Sequence, residues 1–334
     1  MRKKWLLLIP LILIGVYFLG PSPATPSYGK KMPVLPANPV DLANYIRLNE
    51  AQHKLKPDNE ARIVWANDSS KKITEYSIVY LHGFSASQGE GAPLHRDLAR
   101  HFGCNLFLSR LAEHGIDTVE PLVNLTADEY WESAKQALAI GQQIGRKVIL
   151  VGVSTGGTLA LQLAAAYPDG VAALVLMSPN IAINDPNAWV LNNHWGLQIA
   201  HRVAGSKYID VKGDWGPLYR QYWYPRYRLE GAVALEELLE TTMSQETFNK
   251  VKQPVGLFYY YKDPIHQDST VKISAMLTMF DQLGTPAGLK YKQAFPDAGD
   301  HVICSPVRSH DVEGVEKGVE KFMTETLRVP LAEK

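Results

Sequence analysis

Val148-Ile149-Leu150-Val151-Gly152-Val153-Ser154-Thr155-Gly156-Gly157 is the stretch whose reading decides the fold. Val148 to Val153 is an unbroken apolar run, the pattern of a strand covered on both faces. Thr158 to Tyr167 follows as a small-residue helix rich in Ala and Leu. Between them Gly152-Val153-Ser154-Thr155-Gly156 fits G-x-S-x-G in the strand–turn–helix context that a nucleophile elbow requires. The glycines have a steric cause. A serine held in so tight and strained a turn leaves no room for side chains at the flanking positions. The helix that begins there aims free N–H groups at the serine and favours negative charge beside it. Ser154 is therefore the candidate nucleophile.

Outward from this stretch the chain alternates strands and helices. Upstream, Val40 to Lys56 has a helical pattern and Ala61 to Ala66 is a short strand candidate. Ile78 to Leu81 is a buried strand, Pro93 to Phe102 a helix and Asn105 to Leu108 a strand. Thr126-Ala127-Asp128-Glu129 has the form of a capping box opening a helix whose buried stripe is Tyr130, Ala134, Leu138, Gly141 and Ile144. Downstream come a strand over Val171 to Met177, a strand over Val255 to Tyr261 and a helix over Thr270 to Leu283. A strand over Leu289 to Phe295 and a last helix carrying Val312, Val315, Val319, Phe322 and Leu327 complete the order. This alternation predicts a doubly wound, mostly parallel α/β sheet. The rhythm breaks between residues 180 and about 252, where no strand pattern occurs and aromatics are dense (Trp189, Trp195, Tyr208, Trp215, Tyr219, Tyr222, Trp223, Tyr224, Tyr227). The break reads as an inserted, mainly helical cap over the carboxyl edge of the sheet, where open α/β sheets bind ligands. Most of these aromatics pack the cap itself. The consecutive Tyr222, Trp223 and Tyr224 cannot all face one way on a helix, and they are the candidates for lining a substrate pocket.

His82-Gly83-Phe84-Ser85 lies directly after the strand ending at Leu81. A loop there supplies one backbone N–H to an oxyanion hole, and the residue after the nucleophile supplies the other. The candidate donors are Phe84 and Thr155. His82, on the loop itself, reads as structural.

With these motifs the chain resembles an α/β-hydrolase of the carboxylesterase and monoacylglycerol-lipase type, over roughly Leu42 to Leu327. Two further segments carry the resemblance, Tyr261-Lys262-Asp263-Pro264-Ile265 at a strand end and Ala298-Gly299-Asp300-His301 after the last strand. The resemblance implies that Asp263 is the triad acid and His301 the base, in the order serine, acid, histidine expected of this fold. Asp268 and Asp185 are competing acids, and Asp300 reads as a loop cap. His114 is expected to be structural. The implied chemistry is cleavage of a small-molecule carboxylic ester of modest chain length through an acyl-enzyme. A serine peptidase or thioesterase on the same fold, and a tethered binding protein without turnover, are the alternatives. Glu236, Glu237 and Glu240 would favour a peptidase if they formed an acidic pocket, and on a helix they read as a solvated face. No metal spacing occurs among the histidines, and no metal or cofactor is expected.

Formal net charge is zero, with 34 basic and 34 acidic residues, so no basic field is present to hold a nucleic-acid backbone. The two cysteines, Cys104 and Cys304, exclude a zinc ribbon or a disulfide scaffold. They are placed at opposite ends of the sheet and are expected to be free. At the N-terminus Arg2, Lys3 and Lys4 precede an apolar run from Trp5 to Leu19, which reads as a signal peptide or an uncleaved membrane anchor over residues 1–20. Residues 21–40 form a Pro-rich tether, and residues 41–334 the catalytic domain. Either reading of the leader places that domain outside the cytoplasm.

Overall fold

A computed structural model describes residues 2–213 and 215–332 of the chain. Its elements are α1 (Arg2–Phe18), α2 (Pro39–Glu50), β1 (Arg62–Val64), β2 (Thr74–Leu81), α3 (Leu94–His101), β3 (Asn105–Leu108), α4 (Ala127–Ile144), β4 (Gly145–Val153), α5 (Thr155–Ala166) and β5 (Ala173–Met177). After the break come α6 (Gly196–Ala204), β6 (Tyr208–Asp210), α7 (Pro217–Tyr222), β7 (Arg226–Arg228), α8 (Leu229–Thr242) and α9 (Gln245–Lys250). The chain then returns to the sheet with β8 (Val255–Tyr259), α10 (Ile273–Gln282), β9 (Lys290–Ala294) and α11 (Val312–Lys321).

Seven strands form one sheet in the order β1-β3-β2-β4-β5-β8-β9. Only β1 is antiparallel to its neighbour. The central strands are buried on both faces, which is why β4 from Val148 and all of β5 read as continuous apolar runs. Along β4, Val148 and Leu150 face the core under α4, α5 and α10. Ile149, Val151 and Val153 face the core under α3 and α11. Leu138 of α4 is fully buried in the first of these cores. Leu138→Ala should cost about 2–5 kcal/mol through lost burial and the cavity it leaves, measured as the shift in a urea unfolding curve.

Strand register brings the site together. Leu81 pairs with Gly152, Val153 with Met177, Met177 with Phe258, and Tyr259 with Ala294. The carboxyl ends of β2, β4, β5, β8 and β9 are thereby level, and the loops that leave them meet at one edge. The capping box at α4 forms as the sequence indicates, with the Thr126 hydroxyl accepting the Glu129 N–H and the Glu129 carboxylate accepting the Thr126 N–H.

Three features depart from expectation. The segment between β5 and β8 is not all helix, because β6 and β7 pair as a short antiparallel ribbon. Three-residue strands are too short to show an alternating pattern. The Pro-rich stretch is extended, but it is not a free spacer. The Asp128 carboxylate, in the first turn of α4, accepts the Ser27 and Tyr28 N–H groups, and Trp131 Nε1 and Lys135 Nζ both donate to the Gly29 carbonyl. Glu236 and Glu237 of α8 are buried rather than solvated, because α8 packs between α6 and the sheet-side helices. No helix among the described residues is long and apolar enough to cross a membrane, and the apolar N-terminal run is helical over only 17 residues in α1.

Candidate active site

Ser154 sits at the tip of β4 with φ 51° and ψ −118°, outside the ordinary regions for an L-residue. Such a conformation costs on the order of 1–3 kcal/mol and persists only where its surroundings dictate it. The dictating contacts are on the backbone. The Ser154 N–H donates to the Met177 carbonyl at 3.0 Å, and its carbonyl accepts N–H groups from Gly157 and Asn180 at 2.9 and 3.0 Å. Side chains at the flanking glycines are forbidden. A Cβ on Gly156 would lie 1.9 Å from the Leu81 carbonyl oxygen, and one on Gly152 would lie 2.5 Å from the Gly156 oxygen.

The loop after β2 lies against this elbow, with Ser154 Cβ 3.3 Å from where a Cβ on Gly83 would stand. Neither the Phe84 nor the Thr155 N–H has a hydrogen-bond acceptor among the described residues. Thr155 is the first residue of α5 and has no intrahelical acceptor to reach. His82 is buried and structural: Nε2 accepts the Leu111 N–H at 3.0 Å and Nδ1 donates to the Gly83 carbonyl at 2.9 Å. Burial pushes its pKa down to about 4, so it stays neutral. His114 is likewise buried and accepts the Ser85 N–H.

His301 contacts an acid, but the acid is Asp268. His301 Nδ1 donates to Asp268 Oδ2 at 2.6 Å, and the Asp268 side chain is fully buried. Asp263 is exposed and turned away, holding the Ile265 and His266 N–H groups and the His266 ring. These bonds lower its pKa to about 2. The reason is an excursion of the chain after β8. Residues 261–267 run out and back, closed by bonds from the Lys262 and Asp263 N–H groups to the His266 carbonyl and by a Tyr261–Gln267 bridge. The Asp268 N–H then returns to the Tyr260 carbonyl. Asp268 therefore occupies, in space, the place just past the strand end that Asp263 occupies in sequence. Its Oδ1 accepts the Thr270 and Val271 N–H groups at 2.8 and 3.1 Å, leaving Oδ2 for the histidine.

Burial opposes a charged His301, but the carboxylates around it, Asp268 foremost and then Asp300 and Glu90, outweigh it and raise its pKa. His301 Nε2 is buried with no hydrogen-bond partner among the described residues, the Ser154 hydroxyl included. An unpaired buried nitrogen is costly, and its residue lines the same cavity as Ser154. That cavity has a volume of about 360 Å³, with Gly83, Phe84, Glu90, Ser154, Asn180 and His301 around its base. Its upper walls come from the segment between β5 and β8, through Leu191, Ile209, Val211 and Leu235. Of the three aromatic pocket candidates only Trp223 lines it. Tyr222 donates to Asp58, and Tyr224 spends its hydroxyl on the Ile116 backbone. Tyr219 and Tyr227 line the cavity instead. Asp300 accepts the Val302 N–H and pairs with Arg308, the loop-capping role expected of it. Asp185 lines the cavity without touching His301, and Glu236 and Glu237 do not line it.

A more open groove of about 430 Å³ between α2 and β1 contains no serine, threonine or cysteine. His101, Glu316 and Glu320 stand close together between α3 and α11, half-exposed and away from the cavity, as a hydrogen-bonded tie between helices. Cys104 and Cys304 are buried and free.

The family model for the alpha/beta hydrolase fold matches residues 76–250, just over half of the chain. No curated protein matches. Among solved structures, the metagenome-derived lipolytic enzymes LipS and LipT are represented by one that superposes with a TM-score of 0.63 at 17% identity, covering 81% of this chain and 99% of that one. The monoacylglycerol lipase of Paleococcus ferrophilus superposes with a TM-score of 0.57 at 17% identity, covering 79% and 99%. Est1E from Butyrivibrio proteoclasticus, bound to ferulic acid, gives 0.53 at 17% identity, covering 80% and 95%. Sheet order, elbow and matched family agree, and the chain belongs to the α/β-hydrolase-fold family.

Proposed function

We propose that this protein is a serine esterase that cleaves small carboxylic esters through an acyl-enzyme. The observation that carries the reading is that His301, its Nδ1 held by Asp268 and its Nε2 without a partner among the described residues, lines the same cavity as Ser154. In this mechanism Nε2 takes the proton of the Ser154 hydroxyl as Oγ attacks the ester carbonyl. The oxyanion is received by the Phe84 and Thr155 N–H groups. The proton then passes from Nε2 to the leaving alcohol, and water repeats the sequence on the acyl-enzyme. Asp268, not Asp263, fixes the ring tautomer and stabilises the imidazolium.

The cavity supports the substrate class. About 360 Å³ with aliphatic upper walls suits an acyl chain of modest length. Lipolytic enzymes and an esterase among the superposed structures agree with ester chemistry. A peptidase reading gains nothing from Glu236 and Glu237, which lie outside the cavity. The basic-then-apolar N-terminus supports an extracytoplasmic location, which N-terminal sequencing and fractionation of the expressed protein would check.

The test is labelling with a fluorophosphonate and mapping of the modified peptide, followed by a p-nitrophenyl ester series. The expected result is one label on Ser154 and the highest kcat/KM on short to medium acyl chains. A folded protein that takes no label and turns over no ester would sink the reading.

A further inference from the structure

Glu90 has no part in the mechanism above, yet its carboxyl lies at the floor of the same cavity and is 2% exposed. It sits in the buried turn Gln88–Gly91, which follows the oxyanion loop. Oε2 accepts the Gly83 N–H at 2.7 Å and the Tyr80 hydroxyl at 3.1 Å. Oε1 stands 2.9 Å from where a Cβ on Gly83 would be, and Ser154 Cβ is 3.3 Å from that same point. The carboxyl and the nucleophile thus flank one glycine.

We propose that Glu90 is a positioning residue of this site that works as the neutral acid: it fixes the Gly83–Phe84 loop through the Gly83 N–H, and loss of its proton switches the oxyanion side off. The proposal rests on the serine-esterase reading. The Gly83 N–H and the Tyr80 hydroxyl both bind Oε2, and the Trp223 side chain is a further hydrogen-bonding neighbour of the carboxyl. No cation is paired with Glu90 among the described residues. The groups around it are Tyr80 from β2, Cys304 and His301 from the loop after β9, and Trp223 and Tyr219 from the segment between β5 and β8. Further along the cavity Arg308 is spent on Asp300. Burial pushes the Glu90 pKa up to about 7, against the Gly83 N–H and the nearby His301, which both lower it.

The consequences have definite signs. An ionised Glu90 places a negative charge beside the point where the oxyanion forms, and inside a low-dielectric cavity like charges repel strongly. It also stabilises the imidazolium of His301, holding the base in its inactive form. Turnover rises with pH as His301 loses its proton and falls as Glu90 loses its own. The two limbs belong to a coupled pair and give a bell-shaped profile.

The experiment is the pH profile of kcat for p-nitrophenyl ester hydrolysis by the full chain, with active sites counted by fluorophosphonate. Wild type should lose at least about fivefold between its optimum and pH 9. Glu90→Gln keeps an oxygen for the Gly83 N–H and cannot ionise. It should stay within about threefold of wild type at the optimum, lose the alkaline fall and show its acid limb at lower pH. Glu90→Ala should lose at least about tenfold in kcat with little change in KM, as expected when an oxyanion donor is misplaced. Tyr80→Phe removes a donor to the charged form and should move the alkaline limb to higher pH. An active, labelled wild type whose Glu90→Gln variant keeps the same alkaline midpoint overturns the Glu90 role alone. An unlabelled, inactive wild type overturns the esterase reading, and the Glu90 role with it.

Discussion

Replacing Ser154 with alanine should lower kcat about 10⁶-fold while leaving KM within a few-fold, because removing the nucleophile of a triad removes the whole covalent route. The size of the effect distinguishes nucleophile from bystander. A serine that only shaped the cavity would cost one or two powers of ten. His301→Ala should cost nearly as much, and the double variant hardly more than either, since nucleophile and base act as one unit. Residual turnover above the uncatalysed rate would come from the free Phe84 and Thr155 N–H groups. Folding is not at stake in this test. The bonds that hold the elbow run through the Ser154 backbone, and alanine keeps them. The measurement is ester hydrolysis normalised to folded protein, with unfolding curves confirming that the variants are native.

The elbow was legible in the sequence because it is a steric statement. Gly152 and Gly156 have no room for a Cβ, and no other residue type fits a backbone that close to Leu81 and to the turn of α5. The parallel sheet was legible for a related reason, since strands buried on both faces read as near-continuous apolar runs. What failed to show was geometry created by turns. The resemblance points to Asp263, the first aspartate after β8, but a seven-residue excursion carries the chain past it and back before Asp268 arrives beside Tyr260. A signal was present in Asp268-Ser269-Thr270, an Asx-type turn leading towards α10, but it competed with an aspartate closer to the strand. Glu90 was invisible for another reason. An acid in Gln88-Gly89-Glu90-Gly91 reads as a solvated loop, and only the packing of Tyr80, Trp223 and Cys304 around it reveals burial. Its flanking glycines are the trace that burial leaves in sequence. A Cβ on Gly91 would strike Tyr80 at 2.4 Å, and one on Gly89 would strike Tyr222 at 2.2 Å.

The choice between the two aspartates is open to a direct test through the histidine tautomer. In Asp268→Asn the amide oxygen stays with the Thr270 and Val271 N–H groups, which need an acceptor. The amide NH₂ is then left facing His301. Nδ1 must accept from it, so the ring proton moves to Nε2, and Nε2 no longer takes the proton of Ser154. The expected loss is about 10⁴-fold in kcat, the scale of a wrong-tautomer variant with intact geometry. Loss of the carboxylate also removes the foremost of the charges that raise the His301 pKa, so the remaining activity should show its acid limb at lower pH. Asp263→Asn should leave kcat within about twofold, because that side chain only closes an exposed turn with His266 and substitutions at such positions are near neutral. Steady-state kinetics on the two variants decides the matter. A severe loss in Asp263→Asn with an active Asp268→Asn would return the acid role to Asp263 and require the 261–267 excursion to refold on substrate binding.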